Sequence, residues 1–171
     1  MTDWDSNAFN NLLQLDFLQP REEVYDLTSI HYKRTYFSLI TESDFTDGEI
    51  IRFTEKTIKA IYHMHPFLVL GNPYTIHHLR MMGFRIENTF FDTQYDSIPD
   101  CQERLEQVFD QFQFVLSLDE GQLKARLMES KDNLTHDYWY LRDGLDQWIY
   151  HNMYVNCKKV FLHLANTVTN N

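Results

Sequence analysis

The run Phe67-Leu68-Val69-Leu70, led in by His65-Pro66 and closed by Gly71-Asn72-Pro73, constrains this chain more than any other feature. Four successive apolar residues bounded by helix breakers read as a short strand that must be covered on both faces. Its neighbours supply the setting. Thr35-Tyr36-Phe37-Ser38-Leu39-Ile40 is short, aromatic and β-branched and reads as a preceding strand. Phe84-Arg85-Ile86-Glu87-Asn88-Thr89-Phe90 alternates in the manner of a following one. Between them, residues 54–64 place Ile58, Ile61 and Met64 on one helical face, with Thr54 as the expected N-cap. Residues 75–82 carry Ile76, Leu79 and Met82 and end at Gly83, a residue suited to closing a helix. The order β-α-β-α-β predicts an α/β fold with a small parallel, Rossmann-like sheet of three to four strands.

Beyond Asp92 the pattern turns helical. Asp100 with Glu103 forms a capping box ahead of Leu105, Val108, Phe109, Phe112 and Leu116. Two further helices, over about 120–142 and 144–167, are predicted from Leu123, Leu127, Leu134, Trp139, Leu145, Trp148, Val155 and Leu164. At the other end, Leu12, Leu13, Leu15, Phe17 and Leu18 mark an amphipathic helix over 7–18 that stops near Pro20. No linker or repeat interrupts the 171 residues, so one domain is expected: an N-terminal helical brace over 1–30, an α/β core over 33–92 and a large helical part over 100–171.

Charge narrows the partners. Fifteen Lys and Arg face twenty-five Asp and Glu, a net −10 that repels nucleic-acid backbones and anionic lipid. No apolar run approaches the roughly 20 residues that span a bilayer. The acidic start, Met1-Thr2-Asp3-Trp4-Asp5, lacks the basic lead of a secretory signal, and Cys101 and Cys157 lie far apart. A cytoplasmic protein with reduced thiols is expected, without nucleic-acid binding or a membrane span.

Against that acidic background, Lys33, Arg34, Arg52, Lys56 and Lys59 put five of the fifteen cations within 27 residues, beside predicted strand ends and a helix start. In open α/β sheets ligands bind outside the carboxyl ends of the strands, where helix N-termini present free N–H groups to phosphate. Phe53-Thr54-Glu55-Lys56 and Gly71-Asn72-Pro73-Tyr74-Thr75 fall at such positions. The plainer alternative is that Thr54 is only a cap and the cations only keep the chain soluble.

The blocks Phe53-Thr54-Glu55-Lys56-Thr57-Ile58-Lys59-Ala60-Ile61, His65 to Pro73 and Leu79-Arg80-Met81-Met82-Gly83-Phe84 resemble a pattern of uncharacterised proteins common in marine bacteriophages. The resemblance continues through Phe91 to Asp100 and covers roughly residues 33 to 150. The first block also resembles the donor-binding motif of α1,3-fucosyltransferases, in the C-terminal half of the GT-B glycosyltransferase fold. That resemblance implies a nucleotide-sugar site in which Glu55 bonds the ribose and Lys56 meets the diphosphate. Arg34 and Arg52 are candidate further clamps, since planar guanidinium forks suit phosphate oxygens, and Gly71 and Asn72 line the same edge. A Lys and a helix N-terminus aimed at a departing diphosphate assist it without a metal, so no cofactor is expected. The chain departs from the family in offering only about 30 residues before its first predicted strand, so the acceptor half is missing.

Other constellations carry less. His63 with His65, and His77 with His78, are nitrogen donors, but adjacent histidines point apart on a helix, and no metal site is expected. Asp92, Asp96 and Asp100 recur every four residues; Asp100 reads as a cap and Asp96 as a turn former, with Asp92 an outside candidate for a base. Tyr95 is either a stacking platform or core. No Gly-rich phosphate loop and no GxSxG elbow occurs, and the two cysteines read as inert helix thiols.

Two functions follow as expectations. The first is a glycosyltransferase-like domain that binds a nucleotide sugar or another small phosphorylated ligand, with transfer depending on a partner chain. The alternative is a non-catalytic, phage-encoded interaction or structural protein, partnered by another protein or by copies of itself. The aromatic residues Tyr138, Trp139, Tyr140, Trp148, Tyr150 and Tyr154 motivate it. A third reading, a hydrolase or lyase of a small phosphorylated metabolite, uses the same strand ends.

Overall fold

The computed structural model describes residues 30–48, 50–155 and 159. The predicted helix over 7–18, the far end of the last predicted helix and Cys157 lie outside the described residues. Within them the architecture is mixed α/β, mostly helical, around a two-stranded parallel sheet. Strand β1 (Ser38–Thr41) pairs with β2 (Phe67–Leu70) in the register Ser38 to Phe67 and Thr41 to Leu70. Between them runs α1 (Glu55–Tyr62), and α2 (Thr75–Met81) follows β2. After a 3-10 turn (Gln94–Ser97) come α3 (Cys101–Leu116) and α4 (Glu120–Trp139). The chain then passes through a π-helical stretch (Tyr140–Gly144), the short α5 (Leu145–Ile149) and a second π stretch (Tyr150–Val155). No helix among the described residues is long and apolar enough to cross a membrane.

The strand β2 is covered on both faces, as its unbroken apolar sequence requires. Phe67 and Val69 join Ile40, Ala60, Ile61, Ile76 and Leu79 in one core, built with α1 and α2. Leu68 points the other way into a second core with Phe90, Phe91, Tyr95, Val108 and Val115, built with α3. Alternation along a strand of only four residues therefore feeds two separate hydrophobic layers.

The expected third strand over 84–90 does not form, and among the described residues the sheet has two strands. Side chains have taken the places a strand would fill. On the free edge of β2, the Tyr95 hydroxyl donates to the Val69 carbonyl (2.9 Å) and accepts from the Val69 N–H (3.1 Å). Arg85, Ile86 and Thr89 meanwhile give their backbone donors to α4. Asp137 accepts from the Arg85 and Ile86 N–H groups at 2.7 and 2.9 Å, and Ser130 accepts from Thr89 N–H at 3.0 Å. Arg126 reaches the Thr89 carbonyl, and Asn133 accepts from the Arg85 side chain at 3.2 Å. Arg126, Ser130, Asn133 and Asp137 recur at helical spacing, a polar stripe that acts as the segment's pairing partner. Ile86 adopts φ 47°, in a left-handed region that β-branched residues rarely enter, which itself interrupts an extended run.

Two other expectations shift in detail. The buried residues of α3 are Arg104, Val108 and Val115, so the helix is rotated from the predicted face, and Phe109 is half exposed. The capping box lies at α4, where Asp119 and Gln122 satisfy each other's backbone; at α3, Asp100 accepts from Glu103 N–H at 2.8 Å. The single helix expected over 120–142 turns π-helical at Tyr140. The Tyr140 ring packs against both Gly83 and Gly144, where any side chain would collide with it, and its hydroxyl donates to the Met82 carbonyl at 2.5 Å.

Candidate functional site

The carboxyl ends of β1 and β2 meet the N-termini of α1 and α2 at one corner, where a ligand would enter an α/β sheet. Immediately after β1, Glu42 turns inward and is buried. Its carboxylate accepts from the Thr54 N–H at 3.2 and 3.1 Å and from the Thr57 hydroxyl, at the positive end of α1. Thr54 is the N-cap, as its sequence position predicts, and its hydroxyl accepts from Lys56 N–H at 3.4 Å. Lys56 bends back along the helix, and its ammonium donates to the Thr41 carbonyl at 2.8 Å. Glu55 is exposed in the first turn of α1.

The N-terminus of α2 is arranged in the same way. Asp96, from the 3-10 turn, accepts from Ile76 and His77 N–H, both at 2.9 Å, and its own carbonyl accepts from Tyr74 N–H at 2.7 Å. Burial holds its carboxyl above the ordinary range, opposed by those two N–H groups and by Arg80 and His77. Each helix end at this corner thus carries an anion of the chain's own. An incoming phosphate meets Glu42 or Asp96, and like charges about 4 Å apart at an effective dielectric of about 20 repel by roughly 4 kcal/mol.

The remaining sequence-predicted residues divide. Gly71 and Asn72 belong to the corner. The Gly71 carbonyl accepts from Arg104 at 3.1 Å, and a side chain at Gly71 would press on the Thr75 hydroxyl. Asn72 is buried and bonded at both ends of its amide: it accepts from Thr46 N–H at 2.7 Å and donates to the Ile50 carbonyl at 2.7 Å, tying down the loop after β1. Arg52 is exposed and paired with Asp44 at 3.0 Å. Arg34 is exposed in the turn that precedes β1, at the amino end of the strand, whereas Lys56 is bonded at its carboxyl end. The structure gathers Thr54, Lys56, Gly71 and Asn72 but does not bring Arg34 to them.

Arg104 has the largest structural role that the sequence reading missed. At 1% exposed, its guanidinium donates to the carbonyls of Gly71 (3.1 Å), Ile98 (2.5 Å), Pro99 (2.9 Å) and Thr46 (2.7 Å), and it lies 5.0 Å from the Phe45 ring centre. Three loops are joined by one side chain. Its signal in the sequence is its isolation, as the sole Lys or Arg between Arg85 and Lys124.

The histidines separate in the same way. His65 is buried; its Nε2 lies 2.9 Å from the Thr35 carbonyl and its Nδ1 2.8 Å from the Ser38 hydroxyl. The carbonyl can only accept, so Nε2 carries the proton and Nδ1 accepts from Ser38. Burial lowers the ring pKa to about 4, with the Thr35 carbonyl opposing and His63 adding to the shift. Ser38 and His65 thus meet as a nucleophile meets its base, but such a base is weak near neutral pH. The adjoining cavity, lined by His65, Ile86, Asn88 and Asp137, measures about 10 Å³, about the room one water needs. His77 and His78 are exposed, and among the described residues no group of three His, Cys, Asp or Glu is placed to hold a metal. Asp92 accepts from Gln94 N–H at 2.9 Å in a local turn, and Tyr95 is core.

The chain matches no protein-family model, no curated protein and no solved structure.

Proposed function

We propose that this chain works without catalysis, as an interaction or structural protein. The observation that carries the reading is the corner at the strand ends. Its two helix N-termini are filled by Glu42 and Asp96, and its lysine is turned back onto the Thr41 carbonyl. A site for an anion needs those groups free, and here they already have partners within the fold. The phage setting and a cytoplasmic location belong to the same proposal.

A second reading keeps one observation in its favour. Thr54, Lys56, Gly71 and Asn72 do share the carboxyl edge of the sheet, where a glycosyltransferase-like domain would hold a nucleotide sugar. In that reading the β1-α1-β2 unit is the remnant of a larger Rossmann-like sheet, Lys56 swings from Thr41 to the diphosphate, and a partner chain brings the acceptor. Thermal unfolding with GDP-, UDP- and ADP-sugars separates the two. A ligand at 100 times its Kd stabilises by roughly 2.7 kcal/mol. The non-catalytic reading expects no stabilisation. A stabilisation seen in the natural chain and lost in Lys56→Ala overturns it in favour of the second.

A further inference from the structure

Resting on the non-catalytic reading, a groove on α3 specifies the kind of partner. Flanking the buried side of α3, residues four apart form two parallel rows: Cys101, Leu105 and Phe109 in one, Gln102, Glu106 and Asp110 in the next. Phe45 also lines the groove they form, which measures about 490 Å³. From 101 to 109 the rows run about 12 Å, some two helical turns. The floor is apolar, with Phe109 50% exposed, while Glu106 and Asp110 stand exposed along one rim.

The helix that carries this groove is acidic on its surface, with Glu103, Glu106 and Asp110 exposed along α3. Between Arg85 and Lys124 lie Glu87, Asp92, Asp96, Asp100, Glu103, Glu106, Asp110, Asp119 and Glu120, against the single cation Arg104. That guanidinium is buried and bonded to four carbonyls, and Asp47 adds a further carboxylate, which accepts from Cys101 N–H at 2.7 Å. We propose that the groove docks a basic amphipathic helix of a partner protein, its apolar face on Leu105 and Phe109 and its Lys or Arg side chains against Glu106 and Asp110. Helices recognised in this way read as anchors three and four residues apart, matching the spacing of the rows. Complementary charge sets the orientation and speeds the encounter.

The test is fluorescence anisotropy of a labelled Leu/Lys amphipathic peptide of about four turns against the full chain, with a Leu/Glu peptide as control. Saturable binding of the Leu/Lys peptide alone is expected, weakening as salt rises. The double variant Glu106→Lys with Asp110→Lys, and separately Phe109→Ser, are each expected to weaken it about tenfold or more. These positions are exposed, so thermal unfolding should stay close to that of the natural chain. Equal binding of the two peptides, or unchanged affinity in the folded double variant, overturns the proposal. So does a homodimer that excludes the peptide and dissociates in that variant, since the groove would then belong to a second copy. Failure here without stabilisation by a nucleotide sugar removes only the groove, whereas such stabilisation removes the non-catalytic reading itself.

Discussion

Acidification should destabilise this protein through one buried ring. His65 is 4% exposed and neutral between the Thr35 carbonyl and the Ser38 hydroxyl, and its pKa falls from 6.5 to about 4. Between those values the unfolded chain binds a proton that the native ring refuses, so stability rises with pH across this window and is lost as pH falls from 6.5 towards 4. At 1.36 kcal/mol per pH unit the loss is on the order of 3 kcal/mol, a large part of the 5–15 kcal/mol typical of a domain. Urea midpoints measured from about pH 7.5 down to 4 give the curve, and His65→Gln isolates the ring, because glutamine has a donor and an acceptor but no charge to gain. The variant is expected to be less stable near neutral pH by about 1 kcal/mol and to lose the steep fall below pH 6.5. Parallel pH curves for the two proteins would refute the reasoning.

Replacing Arg104 with Met strands the carbonyls of Thr46, Gly71, Ile98 and Pro99 and should cost about 3–5 kcal/mol by urea denaturation, with Arg104→Lys recovering part of it. Asp96, whose carboxyl is raised by burial, binds its proton more tightly when folded, so it makes stability fall as pH rises above 3.8; Asp96→Asn should remove that slope from the pH profile. Gly83→Ala meets both φ 107° and the Tyr140 ring and should cost about 1–3 kcal/mol, visible as a lowered Tm. Asp137→Leu orphans the Arg85 and Ile86 N–H groups and should expose residues 85–89 to amide hydrogen exchange well before α1.

The apolar strand, the strand that precedes it and the capped start of α1 were legible in the sequence, because each rests on local pattern: four apolar residues between breakers, and a Thr one residue ahead of a helical face. The third strand was not, although 84–90 alternates as a strand should. Alternation reports which side chains are buried, and Phe84, Ile86 and Phe90 are buried; it says nothing of where the backbone donors go. Here they go to Ser130 and Asp137, more than 40 residues along the chain. The candidate site was legible only in part, for a related reason. The clustering of Thr54, Lys56, Gly71 and Asn72 was readable, but Glu42 was not singled out, since a carboxylate after a strand has no local pattern that distinguishes a buried helix cap from a solvated charge. Arg34 sat close in sequence to the strand yet at its far end.

The stripe on α4 has a consequence for how this chain can drift over time. A strand paired to a strand is held by backbone groups that almost every amino acid supplies, so its neighbour can change freely and keep its grip. Residues 85–89 are held by four particular side chains, and each exchange among them edits the architecture directly. Distant kin should therefore either preserve that quartet or lay the stretch down differently.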